Sequence, residues 1–139
     1  MGSEPIDAKP MEAPALTPLT LNNRLAGNPG QAPKYAVTVK NNAGDDVILG
    51  DPKATRALVA LMNVHAVNGG AACHWGGPAA LAEIMASIHG FMFSTNDRPW
   101  YDAYNFVNDA GHTENGVYAL RANLGFDGLT FEDLRGCRS

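Results

Sequence analysis

Two histidines carry the chemistry this sequence offers. His74 stands in Cys73-His74-Trp75-Gly76-Gly77-Pro78, and His112 follows Gly111 at the end of Phe106-Val107-Asn108-Asp109-Ala110-Gly111-His112. Each adjoins a small residue and sits just before a stretch that reads as a helix. A helix N-terminus presents free backbone N–H groups and a partial positive charge, so it suits anionic groups such as phosphates. An imidazole placed there can hydrogen-bond a phosphate oxygen or shuttle a proton near neutral pH. Other donors are less well arranged. Cys73, His74, His89, His112 and Cys137 are of zinc-binding type, but Cys73 and His74 are immediate neighbours and no pair has the usual short ligand spacing, so no metal site is read. His65 and His89 read as ordinary helix residues, at the surface or the edge of a core.

The elements that must position these histidines follow from local patterns. Residues 1–33 hold Pro5, Pro10, Pro14, Pro18, Pro29 and Pro33. Proline that frequent prevents both helix and ladder formation, and predicts an extended or flexible arm. Residues 34–139 then form the folded part. A β-hairpin is expected over 35–49: Tyr35 to Lys40 alternates with β-branched residues, Asn41 to Asp45 has turn composition, and Asp46 to Leu49 returns. Asp51-Pro52 opens a first helix as N-cap and first helical residue, with Leu58, Leu61, Val64 and His65 on one face and Gly69-Gly70 at its end. Pro78 opens a second, with an apolar stripe of Leu81, Ile84, Met85 and Ile88 that has Glu83 among it. Gly90 is either a close-packing point or the stop. Ser94 to Pro99 is a polar loop, and Tyr104 to Val107 reads as a short buried strand. A third helix is expected from Thr113 to Asn123, capped by Gly125, and Thr130 with Asp133 forms a capping box for a short fourth.

Bulk composition sets the class. The chain has 139 residues, 45% hydrophobic and 17% charged, with a formal net charge of −4. That fits one globular domain. There is no basic run to release counterions, so no nucleic-acid or anionic-membrane surface is read. No apolar run approaches the roughly 18 residues of a membrane helix. Met1 to Pro10 lacks an apolar core, so no secretory signal is expected, and the two cysteines read as free thiols in a reducing, cytoplasmic setting.

Taken in order, these segments resemble the N-terminal part of transketolases. His74-Trp75-Gly76-Gly77-Pro78-Ala79-Ala80-Leu81-Ala82-Glu83-Ile84 is similar to the family's His-Pro-Gly-x-Pro-x-x-x-Ala-Asp-Ile segment. Phe106-Val107 leading to Gly111-His112 resembles Phe-Val-Leu-Ser-Asn-Gly-His. Val117-Tyr118-Ala119-Leu120, Gly125-Phe126-Asp127 and Glu132-Asp133-Leu134-Arg135 resemble the run that follows. The likeness covers roughly residues 54 to 139. Trp75 replaces a proline, and Asn108-Asp109-Ala110 replaces Leu-Ser-Asn.

The resemblance implies a thiamine-diphosphate and magnesium enzyme that moves a two-carbon ketol unit between sugar phosphates, in the pentose phosphate pathway, as a homo-oligomer (a dimer in the family). It implies that His74 is catalytic and contacts the substrate, and that His112 with Gly111 approaches the cofactor's diphosphate. It implies the fold class too: a mainly helical portion of a thiamine-diphosphate-binding α/β domain, with an added arm and hairpin and an incomplete sheet. The family's Gly-Asp-Gly … Asn metal motif is not found in this sequence, and its activating glutamate lies in a second domain. The expectation is therefore a fragment or split subunit that binds no cofactor tightly by itself and works with remaining transketolase domains or a second subunit. The alternative is a non-catalytic binding or assembly module derived from the same family.

Overall fold

The computed structural model describes residues 27–94 and 98–137. The arm expected over residues 1–33 lies largely outside this range. Its described end, residues 27–33, is docked on the body through backbone groups.

Strands β1 (Ala36–Lys40) and β2 (Asp46–Gly50) pair antiparallel, with Ala36 opposite Gly50 and Lys40 opposite Asp46. The turn between them is closed by one side chain: Asn41 Oδ1 accepts from the Ala43 and Asp45 amides, each at 2.9 Å. Val47 and Leu49 alternate toward the body while Ile48 faces solvent. This hairpin is the whole sheet among the described residues.

Helix α1 (Pro52–Asn68) starts as the sequence predicts, with Asp51 accepting from Lys53 N at 2.8 Å and Pro52 at its first position. The buried face differs from the expected one. Thr55, Val59, Met62 and Ala66 are buried, whereas Leu61 and Val64 are 55% and 54% exposed. The second helix is broken in two at Leu81, giving α2 (Gly76–Ala80) and α3 (Ala82–Phe93). On α3 the buried residues are Ala82, Met85, Ala86, His89 and Met92, and Ile84 and Ile88 of the expected stripe are exposed. Glu83 faces outward and pairs with Arg56 of α1 at 2.6 Å, which holds its carboxyl below the usual range. Gly90 lies inside α3 as a close-packing point, because a Cβ there would collide with Leu49 of β2.

A short helix α4 (Trp100–Ala103) follows. The strand expected at Tyr104 to Val107 is not formed: these residues have no regular structure and Val107 is 83% exposed. Their aromatic content serves packing instead. Tyr104 and Phe106 join Phe93 and Tyr101 around buried Met92, Trp100 and Phe126. Helix α5 (Glu114–Asn123) is entered through a 3-10 turn at Gly111–Thr113 and buries seven of its residues. At the end of the described chain, Thr130 N donates to Asp133 Oδ2 at 2.7 Å and Asp133 N to Thr130 Oγ1 at 3.3 Å. This is the expected capping box, though it opens only a 3-10 turn, Asp133–Gly136.

α5 ties both ends together. The terminal carbonyls of a helix lack partners within it. Here Leu124 O accepts from Gly30 N at 3.1 Å and Gln31 N at 3.2 Å, and Asn123 O accepts from Lys34 N at 3.0 Å. The fully buried Asn123 side chain accepts from Tyr35 N at 2.8 Å and donates to Tyr35 O at 2.7 Å. Asn123→Ala removes both bonds and is expected to cost about 1–3 kcal/mol; urea unfolding measures it, and an unchanged midpoint would refute the assignment.

His89 is 1% exposed, against the expectation of a helix-surface or core-edge residue. Its Nδ1–H donates to Met85 O at 2.9 Å and its Nε2 accepts from Arg121 Nε at 3.4 Å. Burial, with the Arg121 charge adding, pushes its pKa down to about 4. The unfolded chain therefore takes up this proton before the folded one does. The resulting stability is complete above the ordinary histidine value near 6.5 and is lost as pH falls toward about 4. The full loss corresponds to about 3 kcal/mol. Urea unfolding of wild type and His89→Gln across this window should show that pH-dependent component in the wild type alone.

Candidate active site

His74 and His112 come from separate segments. His74 lies in the irregular stretch between α1 and α2, and His112 in the 3-10 turn before α5. The fold sets their rings 5.8 Å apart, centroid to centroid, in an edge-on arrangement with 70° between planes. Both side chains are exposed, as is Gly111. The approach depends on small residues between α2 and α5. A Cβ at Gly77 would lie 2.8 Å from His112 Cδ2, and one at Gly116 would lie 3.1 Å from Pro78 Cβ. The buried Thr113 fixes the turn: its amide donates to Ala110 O at 2.8 Å, and its hydroxyl lies 2.7 Å from the same oxygen and 2.9 Å from Asn108 Oδ1.

Sequence reasoning missed two residues here. Asn115 Nδ2 donates to the His74 carbonyl oxygen at 2.6 Å, and Asn63 Nδ2 reaches the same oxygen at 3.1 Å. Neither lies in a motif with a chemical signature.

Other candidates are dispersed. His89 is sealed among Phe93 and Phe106, the ring centroids 5.6 and 4.9 Å away. Cys137 packs against the Val59–Met62 cluster, and neither it nor Cys73 is in a disulfide. Among the described residues no group of three or more His, Cys, Asp or Glu side chains could hold a metal ion.

A cavity of about 220 Å³ opens beside Gly111, lined by Asn108, Glu114, Val117 and Tyr118. Two further open cavities lie elsewhere. One of about 280 Å³ sits between the hairpin, α3 and α5, and one of about 240 Å³ between α1 and the 131–135 stretch. In the first, the polar His89 is already satisfied on both nitrogens. In the second, Glu132 and Arg135 pair with each other at 2.8 Å. A larger open groove of about 690 Å³ runs between the docked residues 30–34 and the 125–131 stretch; His74 and His112 are exposed and line none of these cavities.

Residues 52–139, more than half of the chain, match the family described as transketolase, thiamine diphosphate binding domain. The chain belongs to this family. No curated protein and no solved structure matches it. The mainly helical architecture with a two-stranded hairpin and an incomplete sheet is that of a fragment of a thiamine-diphosphate-binding α/β domain. No described helix is long and apolar enough to cross a membrane.

The residues fit one end of such a cofactor. Exposed imidazoles can donate to diphosphate oxygens, and the space beside them is open, since a Cβ at Gly76 or Gly111 would meet nothing within 4 Å. For the metal, the described residues supply no ligand group. Gly77→Ala should displace the His112 ring from His74. A crystal structure of the variant is expected to show the centroids well beyond the wild-type 5.8 Å, with a stability loss of no more than about 1–3 kcal/mol.

Proposed function

We propose that this chain is the N-terminal part of a transketolase-like enzyme that transfers a two-carbon ketol unit between sugar phosphates in the pentose phosphate pathway. One observation carries the reading: His74 and His112, distant in sequence, share one exposed site inside the family-matched segment. His112 and Gly111 bind the diphosphate of thiamine diphosphate, at the N-terminal end of α5, where the helix dipole also favours negative charge. His74 contacts the sugar phosphate. Its imidazole takes a proton from a substrate hydroxyl, or returns one to a developing alkoxide, as a general acid–base. When bound, thiamine diphosphate supplies the nucleophilic carbon and the electron sink for cleavage of the ketol carbon–carbon bond. In this reading magnesium and the activating glutamate are held by remaining transketolase domains or a second subunit. The enzyme is cytoplasmic and homo-oligomeric, and residues 34–139 are its incomplete diphosphate-binding domain, behind an arm at 1–33.

A second reading, a non-catalytic binding or assembly module, is favoured by the amount of apolar surface left open. Leu61, Val64, Ile84 and Phe91 are each more than half exposed on α1 and α3. Surfaces of this kind mark protein contacts.

The chain alone is expected to show no ketol transfer and no tight magnesium-dependent binding of thiamine diphosphate by isothermal titration calorimetry. A dissociation constant below about 1 μM, near −8 kcal/mol, would contradict that division of labour. Ketol transfer that appears on adding the partner polypeptide and is lost in His74→Ala supports the enzyme reading. A stable partner complex without transfer supports the assembly module.

A further inference from the structure

Two side-chain amides from different helices converge on one backbone oxygen. Asn115 of α5, 2% exposed, donates from Nδ2 to His74 O at 2.6 Å and to Cys73 Sγ at 3.1 Å. Asn63 of α1, half-buried, donates from Nδ2 to the same His74 O at 3.1 Å and to Val59 O at 2.8 Å. A carbonyl oxygen has two lone pairs and can accept both. His74 belongs to residues 71–75, which have no regular secondary structure, so neither a helix nor a ladder orients its peptide. Those two amides do. The Asn115 Oδ1 atom is buried and has no hydrogen-bond partner. Burying an unpaired acceptor is costly, so such a residue calls for an explanation. The explanation lies in where its other atom points: at the peptides of Cys73 and His74.

We propose that Asn115 and Asn63 are positioning residues that lock the His74 peptide so that its imidazole stands against that of His112. The catalytic consequence rests on the reading of His74 as the proton-transfer group; the locking itself rests on geometry alone. Helices α1 and α5 thereby set the ring of a residue that lies on neither.

The test uses the full 139-residue chain and the variants Asn115→Leu, Asn63→Ala and their double variant. Leucine keeps the branched shape of asparagine and removes the N–H donors. Proton nuclear Overhauser contacts between the two imidazoles are measured, with the His89–Phe106 contact, at 4.9 Å between centroids, as an internal control. The wild type is expected to show the His74–His112 contact. Each single variant should weaken it, and the double variant should lose it while the control persists. A wild type without the contact, or a double variant that keeps it at full intensity, overturns the proposal. If Asn115→Leu loses the control contact, Asn63→Ala decides alone: reduced intensity supports the lock and full intensity overturns it. Ring proximity is read here without any ligand. Failure of the transketolase reading would appear separately, as thiamine diphosphate that leaves both imidazole signals unmoved.

Discussion

The structure depends on the burial of one short helix. α5 is packed by α1, α2 and α3, and Ala119 and Leu120 at its centre are 0% and 1% exposed. A helix covered on several sides can carry few large polar groups, and small residues must stand where neighbours approach closest. Gly116 meets Pro78 of α2 and Ala119 lies in the cluster with Val59 and Met62 of α1. The polar residues that α5 does bury, Asn115 and Asn123, lie near its two ends. Each uses its side-chain amide to hold a neighbouring segment, Asn115 the His74 peptide together with Asn63, and Asn123 the Tyr35 peptide together with the backbone bonds of residues 30–34.

The candidate site follows from that arrangement. At the N-terminal end of α5 the Gly111–Thr113 turn presents His112, and Asn115 holds the His74 peptide next to it. At the C-terminal end the docked residues 30–35 satisfy the last carbonyls and lead into the hairpin. Between the ends, Arg121 spans an aromatic cluster, 4.5 Å from the Phe126 ring and 5.4 Å from that of Phe106, and donates to His89. The candidate site is thus the open end of a closed core. Its two imidazoles are exposed while the groups that place them are buried, as Thr113 and Asn115 are, or half-buried, as Asn63 is, the pairing a binding site needs if it is to be preorganised yet reachable.

Much of this was legible where the physics is local. The Asp51-Pro52 start of α1, the hairpin and the Thr130–Asp133 box rest on contacts within a few residues, and their residue types announce them. The buried faces of α1 and α3 were not legible. Both helices carry apolar residues on two sides, so Leu61 and Ile84 fit a periodic stripe as well as Met62 and Met85 do, and only the packing of α5, and for α3 also of β2, selects between them. The Tyr104–Val107 stretch has strand composition but finds no partner strand among the described residues, and its aromatic rings are used for packing. The burial of His89 depends on Phe93 and Phe106 closing over it. Within the site, the two histidines were readable from their motifs. Their meeting, and the part played by Asn63 and Asn115, depends on three helices converging.

The central claim is that His74 and His112 form one phosphate- and substrate-facing site. Imidazole nitrogen-15 spectra of the full chain, recorded during titration with thiamine diphosphate to millimolar levels, test it most directly, because weak binding suffices. The account predicts that the His74 and His112 signals move together and saturate, while those of His65 and of the buried His89 stay in place. Signals of His74 and His112 that remain still, or that move no more than that of His65, would contradict it.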